Sequence, residues 1–134
     1  MFSTFDIAGS AMSAQSQRMN ITASNMANAD SVAGPEGETY RAKQAMFQSQ
    51  AQDTRYGVGG VRVTDVVEDP SPLNMEYRPD HPAADEDGYV AKPNVEPAEE
   101  MTNMISASRS YQANVEVFNT SKEMLMQTLR IGQG

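Results

Sequence analysis

Residues 4–30 read TFDIAGSAMSAQSQRMNITASNMANAD, and their apolar spacing decides the fold. Phe5, Met12, Met19 and Met26 fall seven residues apart, with Ala8, Gln15, Thr22 and Ala29 in the companion positions of the heptad. A repeat of about 3.5 residues keeps one stripe of an α-helix in register with a partner helix. A matching stripe lies at the other end of the chain. There Met101, Met104, Ser108, Tyr111, Val115, Phe118, Lys122, Leu125 and Leu129 alternate steps of three and four. Both stripes are too narrow for a globular core. The spacing therefore predicts two terminal helices that pair within one subunit and meet the helices of others.

The residues opposite the first stripe are polar but almost all uncharged: Ser3, Thr4, Ser10, Ser13, Ser16, Gln17, Asn20, Ser24 and Asn25. Between Met1 and Asn28 the only charges are Asp6 and Arg18. A helix facing water usually carries Glu, Lys and Arg. A helix packed on its own domain would account for the periodicity by itself. The missing charge points instead to contact with neighbouring helices, where an unpaired ion would be costly.

At 134 residues the chain is long enough for one ordinary domain, yet only 7% of it is aromatic. A terminal helix pair leaves residues 31–96 between its halves, fewer than the roughly 70–80 that support a core comfortably. Assembly would supply the missing stability. The formal charge of −8 argues against nucleic-acid binding, since Lys and Arg are scattered singly. Eleven of the 18 carboxylates fall between Asp65 and Glu100, which makes the centre the solvated part. The chain has no Cys, so disulfides, thiol catalysis and thiolate metal sites are absent. No stretch approaches the ~20 apolar residues of a membrane span, and the N-terminus lacks the pattern of a secretory signal.

Along the chain, the first helix is expected to start at Thr4 to Asp6, where capping residues cluster, and to end at Asn28 to Asp30. A connector with Gly34, Pro35 and Gly37 follows. Tyr40 to Phe47 is a weak strand; Val61 to Val66 and Leu73 to Tyr77 alternate more clearly, and Tyr89–Val90 adds a last extended piece. Pro97, Glu99 and Glu100 open the second helix. The fold expected is mainly α with a small β module: residues 1–30 and 97–134 form the two helices of a coiled-coil domain, and residues 31–96 hold the connector and a short antiparallel β region.

Several features imitate chemistry. Asp85, Glu86, Asp87 and Gly88 lack the spacing and the closing Glu of a calcium loop and read as a turn. His81 is the single imidazole, and no Gly-x-Ser-x-Gly elbow is present. The Gly57, Gly59, Gly60 cluster precedes a strand and lacks the Lys of a phosphate loop, so it reads as a hairpin turn. No catalytic, cofactor or metal site is expected.

The run Ala23-Ser24-Asn25-Met26-Ala27-Asn28-Ala29-Asp30-Ser31, followed by Tyr40-Arg41-Ala42-Lys43, resembles the end of the N-terminal helix in bacterial flagellar axial proteins of the rod and hook class. Phe5 to Ala11, Asp85 to Val90, Pro93-Asn94-Val95 and Ser106-Ala107-Ser108-Arg109-Ser110-Tyr111-Gln112-Ala113-Asn114 extend the resemblance over essentially the whole chain. It implies a structural subunit of the basal-body rod whose paired terminal helices assemble helically around a central channel, in a tube that transmits torque across the periplasm. It also implies export by the flagellar type III apparatus without a cleaved signal. The partners it implies are other copies of the chain, the rod subunits FlgB, FlgF and FlgG, and the rod-base protein FliE. The connector from Asp30 to Tyr40 is longer than the brief link of hook-class relatives. A secreted coiled-coil adaptor would share the heptads but leave the Asn25 to Ser31 run unexplained.

Overall fold

The ring of Phe5 meets Phe118 edge-on, with centroids 4.9 Å apart, and the guanidinium of Arg18 donates to Asn103 Oδ1 at 3.4 Å. Moving forward along the first helix thus moves backward along the second, and the two lie antiparallel. In the computed structural model, which describes residues 2–32, 37–50 and 59–134, the elements are α1 (Phe2–Ala27), β1 (Lys43–Gln50), β2 (Gly60–Glu68), β3 (Asn74–Tyr77), β4 (Tyr89–Lys92) and α2 (Pro97–Gln133). About half of the chain is helical. Ala8, Ala14 and Ala107 are almost completely buried, and their small side chains let the helices approach closely.

α1 begins at Phe2, ahead of the expected caps, with no carboxylate in its first turn. Packing of Phe5 on Phe118 outweighs the local preference for a cap. At the other end the helix stops at Ala27 as anticipated, because side chains take over its last carbonyls. Asn28 Nδ2 donates to Ser24 O at 2.8 Å, and Ser31 Oγ donates to Asn28 O at 2.8 Å. α2 starts with Pro97 in the first turn, where its missing N–H has no helical partner to lose. By the Phe5–Phe118 register α1 runs out near Ser121, so residues 122–133 of α2 project past it by about 18 Å at 1.5 Å per residue.

β1 and β2 form an antiparallel hairpin from Lys43↔Glu68 to Gln50↔Gly60, with a bulge between Met46 and Phe47. The hairpin lies along α1 and does not touch α2. It is pinned at two points. Ser10 Oγ accepts the Val61 N–H at 3.1 Å while donating to Ile7 O at 2.8 Å, and Asn25 takes both backbone groups of Lys43. α1 therefore packs on α2 along one flank and on the hairpin along another. Thr22 and Asn25 are covered from within the chain, whereas Ser3, Ser13, Gln17, Asn20 and Ser24 stay exposed, so internal packing accounts for only part of the missing charge.

β3 and β4 pair from Asn74↔Lys92 to Tyr77↔Tyr89, making a second sheet separate from the first. The centre was expected to be one β module. It divides because Pro70 and Pro72 remove donors just after β2, and the intervening backbone is tied elsewhere: Asn94 Nδ2 donates to Asp69 O and Ser71 O at 3.1 and 3.0 Å. The Asp85 to Gly88 turn is held by Asp85 Oδ1, which accepts the N–H groups of Asp87 and Tyr89 at 3.0 and 2.8 Å. Gly88 closes it with φ +86°. Gly34, Pro35 and Gly57 lie outside the described residues.

A Cβ at Gly60 would fall on Ser10 Oγ, the acceptor that anchors Val61. Gly60→Val is expected to lift the hairpin from α1 and lower stability by about 1–3 kcal/mol, as overpacking does. Urea denaturation checks this, and adding Ser10→Gly should recover part of the loss.

Candidate assembly interface

Asn25 is 1% exposed and sits where three elements meet. Its Nδ2 donates to Lys43 O at 2.8 Å, and its Oδ1 accepts from Lys43 N at 3.0 Å and from the Tyr40 hydroxyl at 2.8 Å. The amide thus stands in for a neighbouring strand at the first residue of β1. Tyr40 also shares a 3.2 Å hydrogen bond with Ser24 Oγ. Asn94 does the same work one residue earlier, its Oδ1 accepting the Ala42 N–H at 2.8 Å. Arg41 reaches Ser71 O at 3.1 Å. Of the motif residues, Asn25, Ser24, Tyr40 and Arg41 are joined in this junction, and Asn28 and Ser31 close the helix end. Asp30 lies 3.6 Å from Lys92 Nζ and is otherwise in solvent; Ala23 and Ala27 are exposed.

Across the helix pair, Phe5, Met12, Met19 and Met26 are half-buried on α1. Met104, Tyr111, Val115, Phe118 and Leu125 are half-buried on α2, whereas Met101 and Leu129 are 55% and 58% exposed. The buried residues of α2 are Glu100, Ala107 and Ser121, one position before Met101, Ser108 and Lys122. The tight side of α2 is therefore turned by one residue from the hydropathy pattern. Small or self-satisfied side chains occupy it: Ser121 Oγ bonds Val117 O at 2.8 Å, and Asn114 Nδ2 bonds Ser110 O at 2.7 Å. Leu129 is exposed for a different reason, since it lies one turn past Leu125 where α1 has already ended. Sequence reasoning missed Glu100 and Asn94 as structural groups, although both stood in quoted runs.

Glu100 is buried at the start of α2, and loss of water raises its carboxyl above the ordinary range; hydrogen bonding with Asn25 offsets part of this, and Glu99 adds to it. Beside it opens a groove of about 430 Å³ between α2 and the hairpin, floored by Arg18, Ile21 and Thr22. Lys43, Gln44, Ala45 and Phe47 form one wall, and Glu99, Glu100 and Asn103 the other. No cluster of His, Cys, Asp and Glu among the described residues suits a metal ion, and no helix is long and apolar enough to cross a membrane. What the chain does present is apolar surface: Met101, Ile105, Val117, Met124, Met126, Leu129 and Ile131 all stand out from α2. Such an array suits packing against other protein.

Both helices fall in segments with known counterparts. A family model described as flagella basal body rod protein matches residues 5–35, and one described as flagellar basal body rod FlgEFG protein C-terminal matches residues 86–131. The flagellar basal-body rod protein FlgC of Yersinia enterocolitica is 58% identical over 133 residues, covering 99% of this chain and 98% of that protein. The FlgC protein of Salmonella typhimurium is 54% identical over the same span with the same coverage, and that of Bacillus subtilis is 39% identical over 147 aligned positions, covering 98% of each. The chain belongs to the FlgC family of flagellar basal-body rod proteins. It is a structural subunit of the rod and not an enzyme, and the adaptor reading has no support in these likenesses.

Asn25→Asp places an acceptor against Lys43 O and beside Glu100, and is expected to destabilise the chain by at least the roughly 1–3 kcal/mol of an unsatisfied buried group. Asn25→Ala should cost less, and thermal melts of both variants test the order. Glu100→Gln tests the raised carboxyl. A group that ionises less readily when folded contributes stability at acid pH that is lost as pH rises through its folded pKa. Glu100→Gln removes that loss, so the variant should gain on the parent in urea midpoint at pH 7 and show no such gain near pH 4.

Proposed function

We propose that this subunit builds the proximal rod by packing its two terminal helices, as a coiled-coil domain of residues 1–30 and 97–134, beside those of neighbouring subunits around a central channel. Residues 31–96 form the part outside that layer. The observation that carries the reading is the run of large apolar side chains left in solvent along α2 beside a helix pair already closed by Phe5 and Phe118. Assembly would bury that surface, and a repeated contact in a tube is what lets it transmit torque.

The seam of assembly in this reading comprises Phe5, Met12, Met19, Met26, Met101, Met104, Tyr111, Val115, Phe118, Leu125 and Leu129. Those facing the partner helix hold the subunit together, and Met101 and Leu129 are free to meet a neighbour. The junction of Ser24, Asn25, Asn28, Asp30, Ser31, Tyr40 and Arg41 sets the angle at which the chain leaves the helix layer, a structural hinge and not a ligand site. The neighbours are copies of the chain, FlgB, FlgF, FlgG and FliE. The subunit travels through the flagellar type III apparatus without a cleaved signal and resides in the rod that crosses the periplasm.

Truncation of a buried aromatic or leucine costs about 2–5 kcal/mol, and a polymer repeats the defect in every subunit. Phe118→Ala and Leu125→Ala are each expected to abolish swimming while the protein is still made. Asp87→Ala should swim normally, because its side chain lies in an exposed turn that Asp85 holds. Motility in soft agar, with detection of the chain in detergent-extracted basal bodies, decides between this and the reverse pattern.

A further inference from the structure

The projecting end of α2 and the open groove lie at opposite ends of the helix pair, and each lacks what the other offers. At 3.6 residues per turn, Met124 and Ile131 share one side of the projection, Leu125 and Leu129 a second, and Met126 a third. Ile131 is 81% exposed. Apolar side chains on three sides, interrupted by Lys122 and Thr128, suit a site with more than one wall. The remaining side carries Glu123, Gln127 and Arg130, with the two charges about 10 Å apart along the axis. The groove has walls on two sides and a floor, apolar surface from Ile21 and Phe47, cations from Arg18 and Lys43, and carboxylates from Glu99 and Glu100.

We propose that the projecting end of α2 seats in this groove of a second copy of the chain, with Arg130 against Glu99 and Glu123 against Arg18 and Lys43. This rests on the reading of the chain as a rod subunit and specifies its self-contact. A chain cannot fill its own groove, because Asn103 in the wall and Ile131 in the projection are separated by about 42 Å of continuous helix. The contact joins unlike surfaces, so each bound copy leaves one projection and one groove free. Such a heterologous contact propagates head to tail, as a ring or an open helical series, and does not close as a two-fold dimer. The seam supplies continuity, since Leu125 and Leu129 extend the side of α2 that packs on α1 within the chain.

The chain has no native Cys, so engineered pairs report the contact cleanly. Phe47→Cys and Ile131→Cys variants, co-expressed and oxidised in isolated basal bodies, are expected to give a disulfide dimer of this chain, and either variant alone is not. A basal body that contains the chain but yields only Ile131-to-Ile131 adducts, adducts to another rod protein, or none overturns the inference and leaves the rod reading intact. Absence of the unsubstituted chain from basal bodies brings down the rod reading and this contact together. A charge exchange decides the case if the cysteine variants fail to incorporate. Arg130→Glu should reduce swimming to background and Arg130→Glu with Glu99→Arg should restore most of it; no restoration overturns the pairing.

Discussion

The carboxamide of Asn25 ties α1 to the start of β1 and lies beside Glu100 at the start of α2, and the placement of the hairpin depends on it. A side-chain amide that pairs both the N–H and the C=O of Lys43 reproduces one rung of a β-ladder, so the helix itself acts as the edge that β1 joins. Because the site is buried, each of these bonds is stronger than its counterpart in water, and the loss of any one leaves a polar group stranded. Only an amide offers a donor and an acceptor side by side with this reach. That requirement gives a physical content to the Asn of the Ala23-Ser24-Asn25 run.

Anchored there, the hairpin runs back along α1 to Ser10, and α1 ends up between it and α2. The asymmetry of the two helices follows. α1 has neighbours on two flanks and places small side chains such as Ala8 and Ala14 at its most buried positions. α2 has one neighbour for most of its length and none for its last three turns, so it keeps charges such as Arg109, Glu116 and Glu123 together with exposed apolar residues. Marginal internal packing and abundant external apolar surface belong together in a subunit whose folded form is completed by assembly.

The parts legible in the sequence were those with a local period. Heptad spacing located both helices, Pro97 and the carboxylates marked the start of α2, and Asp85 with Gly88 marked a turn that the structure contains. The rotational phase of α2 was not legible, because Ala107 and Ser121 carry little hydropathy and yet take the tightest positions. Neither was the division of the centre into two sheets, since alternation shows a strand without showing its partner. The Ser10–Gly60 approach and the Asn25–Lys43 pairing join residues distant in sequence, and no pattern along one chain signals such a pair.

The β3–β4 sheet packs on no other helix or strand; it is held by the buried side chains of Val90, Pro93 and Val95 together with polar ties from Asn74 to the Pro93 carbonyl, from Lys92 to Asp30 and through Asn94 at its root. Its link to the helices runs through these loop residues and not through helix packing. Changes of length or decoration in such an appendage need not disturb the helix pair, whereas one residue inserted between Phe5 and Asn25 would shift the Phe5–Phe118 contact against the Asn25–Lys43 tie. Within one short chain, the helix pair and this appendage are joined through loops and share no direct packing.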